Sequence, residues 1–217
     1  MRVQNINGTN FQSRNKTIRF ADDIARRVNQ CYPRISSTKV ESYNNISKFP
    51  NLEFNMQYKI SEKVRKLKSE LFDEDYSFLE NIKAFITPVK KFKTGNCGES
   101  SQLAAIIAKI NGIKDCHLVQ LINETGKEFD HVVLYVHDKN PYIIDSWLGF
   151  ADYLPNAVQK YKNEYDYIFN IDKNEIIVFS SETDDAYSNF LKDDFSRKQI
   201  NKLKRIYPEH VIKRGYI

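Results

Sequence analysis

The segment from Gly95 to Gly112 constrains the fold of this chain more than any other. The hexapeptide GNCGES is followed by the run SQLAAIIAKI, which ends at Asn111-Gly112, a typical helix C-terminal signal. One side of the predicted helix carries only small residues, namely Ser100, Ser101, Ala104 and Ala108. The other side carries Leu103, Ile106, Ile107 and Ile110. The pattern predicts a buried helix that begins at Cys97 and lies close against a sheet.

Three segments rich in β-branched and aromatic residues follow this helix. They are CHLVQLI at 116–122, DHVVLYV at 130–136 and PYIIDSW at 141–147, and they predict three strands of one antiparallel sheet. A fourth strand is predicted over 175–179. Because helices and strands are mixed without a linker or repeat, the sequence predicts one α+β domain spanning residues 1–217.

The flanking segments predict further helices. Residues 1–17 are rich in Asn, Gln, Thr and Ser and predict a loose N-terminal arm. Helical spacing is found over 18–31, from Ser61 through Leu71, over 78–85 before Pro88, and over 196–207. The last of these would turn Ile200, Leu203 and Ile206 inward.

Composition and charge exclude several classes of protein. The net charge of +5 and pI near 8.9 fall short of the dense basic surface of a nucleic-acid-binding protein. The first twenty residues contain no signal-peptide-like apolar run, and no stretch of eighteen apolar residues occurs, so a cytoplasmic protein is expected. Three cysteines, an odd and low number, indicate reduced thiols rather than a disulfide framework.

Cys97 is the candidate nucleophile because a helix N-terminus places partial positive charge beside a thiolate. In DHVVLYV, alternation puts His131, Val133 and Tyr135 on one face. A turn centred on Asp138 would set His131 directly opposite Asp145, within reach of a hydrogen bond. A register slip of one residue would move Asp145 to the other face. We therefore predict that Cys97 attacks a carbonyl carbon, His131 transfers the proton and Asp145 orients the imidazole.

The residues around this trio have predicted supporting roles. The backbone N–H of Cys97 is the first candidate oxyanion donor, and Asn96 or Gln102 could supply a second. Gly98 allows close approach of the backbone, and Trp147 would pack against the site or shield it from water. This chemistry needs no metal and no cofactor. Zinc is rejected because the adjacent Cys116 and His117 point to opposite faces of a strand and have no second ligand pair.

The order GNCGE, DHVVLYV and YIIDSW over residues 95–147 resembles the transglutaminase-like or papain-like cysteine enzyme superfamily, and bacterial effector members in particular. The resemblance implies a nucleophile at a helix N-terminus packed on an antiparallel sheet of three to four strands, with extra flanking helices. It also implies a Cys-His-Asp triad acting on protein or peptide amides, as in proteases, deamidases or transglutaminases. Export into a host cell would follow from the effector likeness.

Two other classes of function stay open. The chain could be a catalytically inactive protein-binding module that retains the fold. It could also be an adaptor for nucleic acid or a membrane surface, using the basic face formed by Lys198, Lys202 and Arg205, although a solvated helix face is favoured. For the enzyme, the acyl acceptor is either water or an amine, and a compact, open site favours water.

Overall fold

The computed structural model describes residues 8–32, 51–182 and 185–212, and its centre is a five-stranded antiparallel sheet of order β4-β3-β2-β1-β5. The strands are β1 (Cys116–Asn123), β2 (Glu128–Val136), β3 (Tyr142–Asp145), β4 (Phe150–Tyr153) and β5 (Ile177–Glu182). The helices are α1 (Gly8–Cys31), α2 (Asn51–Leu71), α3 (Phe78–Phe92), α4 (Cys97–Ile110), α5 (Leu154–Glu164), α6 (Asp166–Phe169), α7 (Ala186–Lys192) and α8 (Arg197–Ile206). The α+β class predicted from the sequence is confirmed.

Each face of the sheet is covered by helices because each face buries its own set of apolar side chains. On one face, Leu134, Val136 and Ile144 join residues of α1, α3 and α4 in a large core. On the other face, Val133 and Ile143 pack with α5 and the segment that follows it. The alternation along β2 therefore divides its side chains between two cores, as the sequence predicts.

The central helix α4 has the bounds that the sequence predicts. It begins at Cys97 after the N-cap Asn96, which forms a capping box with Glu99. It ends before Asn111, and Gly112 has a φ of +92°, a conformation that favours glycine. Every residue from Ser100 to Ile110 is buried, and the Ser101 hydroxyl donates to the carbonyl of Val132 at 2.8 Å. The small side chain at position 101 thus lets α4 lie directly on β2.

Several predicted helix bounds are wrong. Helix α1 begins at Gly8, so residues 8–17 are not a loose arm, while residues 1–7 lie outside the described part. Helix α2 begins at Asn51, ten residues before the predicted start at Ser61. Helix α3 continues through Pro88 to Phe92 because its buried face extends past the proline to Val89, which outweighs the lost backbone hydrogen bond.

The last helix also differs from its prediction on one face. Ser196 caps α8, and Leu203 is fully buried, as the predicted inward face requires. Ile206 is instead 47% exposed. Lys198, Lys202 and Arg205 are exposed as well, so α8 presents a basic surface to solvent.

The sheet has five strands rather than three or four. Strand β4 was not predicted because it is short and contains Asp152. It is held by its pairing with β3 and by a hydrogen bond of 2.7 Å that the Ala151 N–H donates to Asp22. Strand β5 begins at Ile177 rather than at 175. Glu175 instead closes a turn by accepting the N–H of Asp172 at 2.9 Å.

Among the described residues, none of the helices combines the length and apolar character needed to cross a membrane.

Candidate active site

Cys97 occupies the first position of α4, where unpaired backbone N–H groups give the helix end a partial positive charge. Its side chain is partly exposed, and its sulfur lies 3.8 Å from the carbonyl oxygen of Asp130 on β2. The thiol therefore lies beside the start of the central strand β2, and it is partly open to solvent.

His131 and Asp145 form a buried pair beside this thiol. His131 Nε2 lies 2.6 Å from Asp145 Oδ2, and both side chains are 1% exposed. The carboxylate engages Nε2, and the Cys97 side chain is near enough to the imidazole to raise its pKa. The structure thus brings together the three side chains that the sequence singled out.

The register that produces this pair is not the predicted one. Val136 pairs with Tyr142 and Leu134 with Ile144, which shifts β3 by two residues. His131 and Asp145 are therefore diagonal rather than directly opposite. Because side chains alternate with a period of two, a shift of two residues keeps both on the same face. The predicted contact was correct although the predicted alignment was wrong.

A distortion of β2 lies next to His131. Gln120 pairs with Val132 and Ile122 with Glu128, so three residues of β2 stand opposite one residue of β1. In the middle of this bulge, Asp130 has a φ of +49°. Bulges bend a strand and change the direction of its side chains. Here the bulge brings the Asp130 carbonyl to Cys97.

Asp145 is held by three donors although it is fully buried. The Tyr161 hydroxyl donates to Oδ2 at 2.7 Å, the Leu148 N–H donates to Oδ1 at 2.9 Å, and His131 supplies the third bond. An ionised buried carboxylate requires such compensation. The carboxylate is thus fixed in place and fixes the imidazole in turn.

The electrostatics of the pair favour its charged form. Burial alone lowers the pKa of His131, but the charge of Asp145 and hydrogen bonds to Asp145 and Cys97 outweigh it and raise the pKa to about 10. For Asp145, burial acts to raise the pKa, and the attraction and hydrogen bond of His131, with the bonds from Leu148 and Tyr161, lower it overall. The two shifts together favour an imidazolium and a carboxylate at neutral pH.

Aromatic rings enclose the imidazole. The ring of His131 lies 4.6 Å from Phe169, 5.4 Å from Trp147 and 6.0 Å from Tyr161, measured between centroids. Trp147 is 3% exposed, in accord with its predicted packing or shielding role. These rings help to exclude water from the imidazole, which is 1% exposed.

Glu99 and Lys68 hold the loop before Cys97 in place. The Glu99 carboxylate accepts a hydrogen bond from the Asn96 N–H at 2.9 Å and forms an ion pair with Lys68 at 3.4 Å. Lys68 also donates to Gln102 at 3.1 Å. Gln102 therefore belongs to the group of side chains that hold this loop. It lies five residues after Cys97, which places it about 140° from Cys97 around the helix axis. The structure does not bring its side chain to the thiol, whereas Asn96 adjoins Cys97 as its cap.

The two glycines that flank the Asn96-Cys97 pair have different surroundings. A Cβ on Gly95 would lie 2.5 Å from the ring of Tyr32, so this position needs glycine for packing. A Cβ on Gly98 would meet no atom within 4 Å. Packing therefore does not explain Gly98, which borders open space beside the thiol.

The other two cysteines lie in different environments. Burial raises the pKa of Cys31, despite partial compensation by Lys93, and its thiol bonds to the Arg27 carbonyl at 3.4 Å. Burial raises the pKa of Cys116 to about 11. Both thiols are therefore held in their neutral form at pH 7.

Sequence reasoning missed Tyr161, Phe169 and the role of Asp130. The only available signal for Tyr161 was its spacing of four from Ala157, which places both on one helix face. Nothing in that spacing indicates a partner on β3. The register change at Asp130 depends on pairing across strands and has no local signal.

The described part of the chain thus defines an α+β protein with a thiol, an imidazole and a carboxylate assembled near the start of β2 and the end of β3. Comparisons with protein-family models, with curated proteins and with solved structures found no match to this chain.

Proposed function

We propose that this protein is a cysteine-dependent acyl-transfer enzyme that acts on amide groups of proteins or peptides. The observation that carries the proposal is the buried His131–Asp145 pair of 2.6 Å beside the partly exposed Cys97 at a helix N-terminus. A carboxylate, an imidazole and a thiol in this order are the components of nucleophilic catalysis.

The roles of the three residues follow from their environments. The imidazolium of His131 and the end of α4 stabilise the Cys97 thiolate. The sulfur attacks the amide carbon, and the C–S bond forms as the carbonyl oxygen gains negative charge. Collapse breaks the C–N bond, and His131 delivers its proton to the departing nitrogen. The acceptor, water or an amine, then gives a proton to His131 and attacks the thioester, which releases the Cys97 thiolate.

The oxyanion would be stabilised by the backbone N–H of Cys97, because the first N–H groups of a helix have no acceptor within the helix. The adjoining Asn96 is the candidate for a second donor. Gln102 is less suited to this role because its carbonyl oxygen accepts from Lys68 below the loop.

An extended protein segment suits the surroundings of the thiol. The imidazole is enclosed by rings, whereas Cys97 is accessible and Gly98 borders open space. We favour water as the acceptor because this side of the site is open to solvent. The resemblance of residues 95–147 to transglutaminase-like and papain-like enzymes supports the same class of reaction, and export of the protein as an effector would agree with it.

The test is pulsed alkylation with iodoacetamide from pH 5 to 9, followed by peptide mass mapping. We expect Cys97 to react at pH 6 at least about tenfold faster than Cys31 and Cys116, since only a thiolate is nucleophilic. His131→Gln should remove this difference. Circular dichroism establishes that the variant is folded. If a folded wild-type protein alkylates Cys97 no faster than Cys31, the proposal is wrong.

A substrate screen follows on wild type and Cys97→Ser. Ammonia release from glutamine-containing proteins would indicate deamidation, new N-termini would indicate proteolysis, and incorporation of a primary amine would indicate transamidation. Each activity must disappear in Cys97→Ser to count. A folded protein with a reactive Cys97 but no activity on a broad set of proteins would favour a binding module.

A further inference from the structure

The end of the β1–β2 ladder remote from Cys97 gathers three side chains with metal-binding atoms. The His137 N–H donates to the Asp115 carbonyl at 2.9 Å, which extends the ladder beyond the pairing of Cys116 with Val136. The ligand atoms of Asp115, His117 and His137 all lie within 4.8 Å of one another. The two imidazoles and the carboxylate thus converge on one small region.

The ring positions are supported by a neighbouring tyrosine. His117 is paired across the ladder with Tyr135, and their rings stack at 5.4 Å and 23°. The ring of His137 lies 4.8 Å from both Tyr135 and His117. Since strand pairing fixes the backbone and Tyr135 holds the rings, small side-chain rotations suffice to bring the three donors to about 3.4 Å apart, the spacing around a tetrahedral ion.

We propose that Asp115, His117 and His137 bind a divalent transition-metal ion such as Zn²⁺. Two imidazoles and one carboxylate favour zinc, copper, nickel or iron over magnesium or calcium, which prefer all-oxygen sites. Three protein ligands leave a coordination position for water or for a further group. Asp194 lines the same concavity and could provide it, whereas Lys114 and Lys192 line it too and weaken cation binding.

This site is separate from the thiol. His137 directly follows β2 and lies six residues after His131, which corresponds to about 20 Å of extended chain. The ion would clamp the residue before β1 to the residue after β2 and so stabilise the ladder that carries His131. Sequence reasoning missed the site because it considered only Cys116 and His117, and Cys116 belongs to the core on the opposite face.

The experiment uses the full chain without an affinity tag, in a Cys97→Ser background so that the proposed nucleophile cannot supply a ligand. Metal-free protein is titrated with Zn²⁺ by calorimetry and with Co²⁺ by visible absorption, and thermal unfolding is followed with and without Zn²⁺. The variants are Asp115→Asn, His117→Gln and His137→Gln. Asp138→Asn is the matched control, because Asp138 is an exposed carboxylate near the cluster but outside it.

We expect one equivalent of Zn²⁺ to bind and to raise the melting temperature. In the Co²⁺ titration, we expect the visible absorption of an ion with nitrogen and oxygen ligands. Each ligand variant should bind at least about tenfold more weakly, and Asp138→Asn should bind like its parent. Parent-like Zn²⁺ affinity in folded His137→Gln would overturn the assignment, as would no binding to the parent. Neither result bears on the reactivity of Cys97, which is measured separately.

Discussion

Asp145→Asn should change the pH dependence of stability in a defined way. The pKa of His131 is about 10 in the folded protein, against 6.5 for the free side chain. A raised pKa stabilises the fold fully below pH 6.5, and this stabilisation is lost as pH rises through 10. The pKa of Asp145 is lowered, so its own contribution is lost only in acid, as pH falls below its ordinary value of 3.8. Between pH 7 and 9, the pH dependence of stability that the pair contributes therefore comes from His131.

The magnitude follows from one proton. Within this window the folded protein retains a proton that the unfolded chain has released, so the free energy of unfolding falls by about 1.4 kcal/mol per pH unit. From pH 7 to 9 the pair accounts for a loss of about 2 to 3 kcal/mol. In Asp145→Asn the carboxylate that raises the pKa is gone and burial of the imidazole lowers it. The variant should lack this loss.

Urea unfolding at pH 7, 8 and 9 measures the difference. Groups shared by both proteins, such as Cys116, cancel when the wild-type and variant slopes are subtracted. Parallel loss of stability in the two proteins would refute the reasoning. Removing one partner of a buried pair costs about 3 to 5 kcal/mol, so the variant could unfold. Nitrogen NMR of the His131 ring in the wild type is the second measurement. A neutral imidazole at pH 8 would also refute the predicted protonation of His131.

Two further predictions concern the same site. Tyr161→Phe removes the 2.7 Å hydrogen bond to Asp145 and should lower the free energy of unfolding by about 1.5 to 3 kcal/mol, measured in urea at pH 7. Tyr165→Phe is the matched control. Equal effects of the two variants would contradict the role of the hydrogen bond. Gly95→Ala should destabilise by at least about 1 kcal/mol because its Cβ would lie 2.5 Å from a tyrosine ring. Gly98→Ala should change the free energy of unfolding by no more than about 0.5 kcal/mol but slow activity on protein substrates. If Gly98→Ala destabilises the protein more than Gly95→Ala does, the space beside the thiol is not open.

The local sequence determined the elements that carry the candidate site. The GNCGES segment, the apolar run and Asn111-Gly112 define α4 by capping and burial, which act within a few residues of the chain. Alternation in β2 determined that His131 and Val133 face one core and Leu134 the other. The common face of His131 and Asp145 also followed from the sequence, because parity survives a register shift of two residues.

Only the tertiary structure decided which distant groups complete the site. The bulge at Asp130 depends on how β2 pairs with β1, and the bond from Tyr161 depends on how α5 packs over β3. The approach of Asp115 to His137 likewise depends on the ladder register. Each contact joins residues far apart in the chain, and their energies depend on burial and geometry that no local pattern encodes. For this reason the sequence could predict the Cys97, His131 and Asp145 grouping but not what holds it in place.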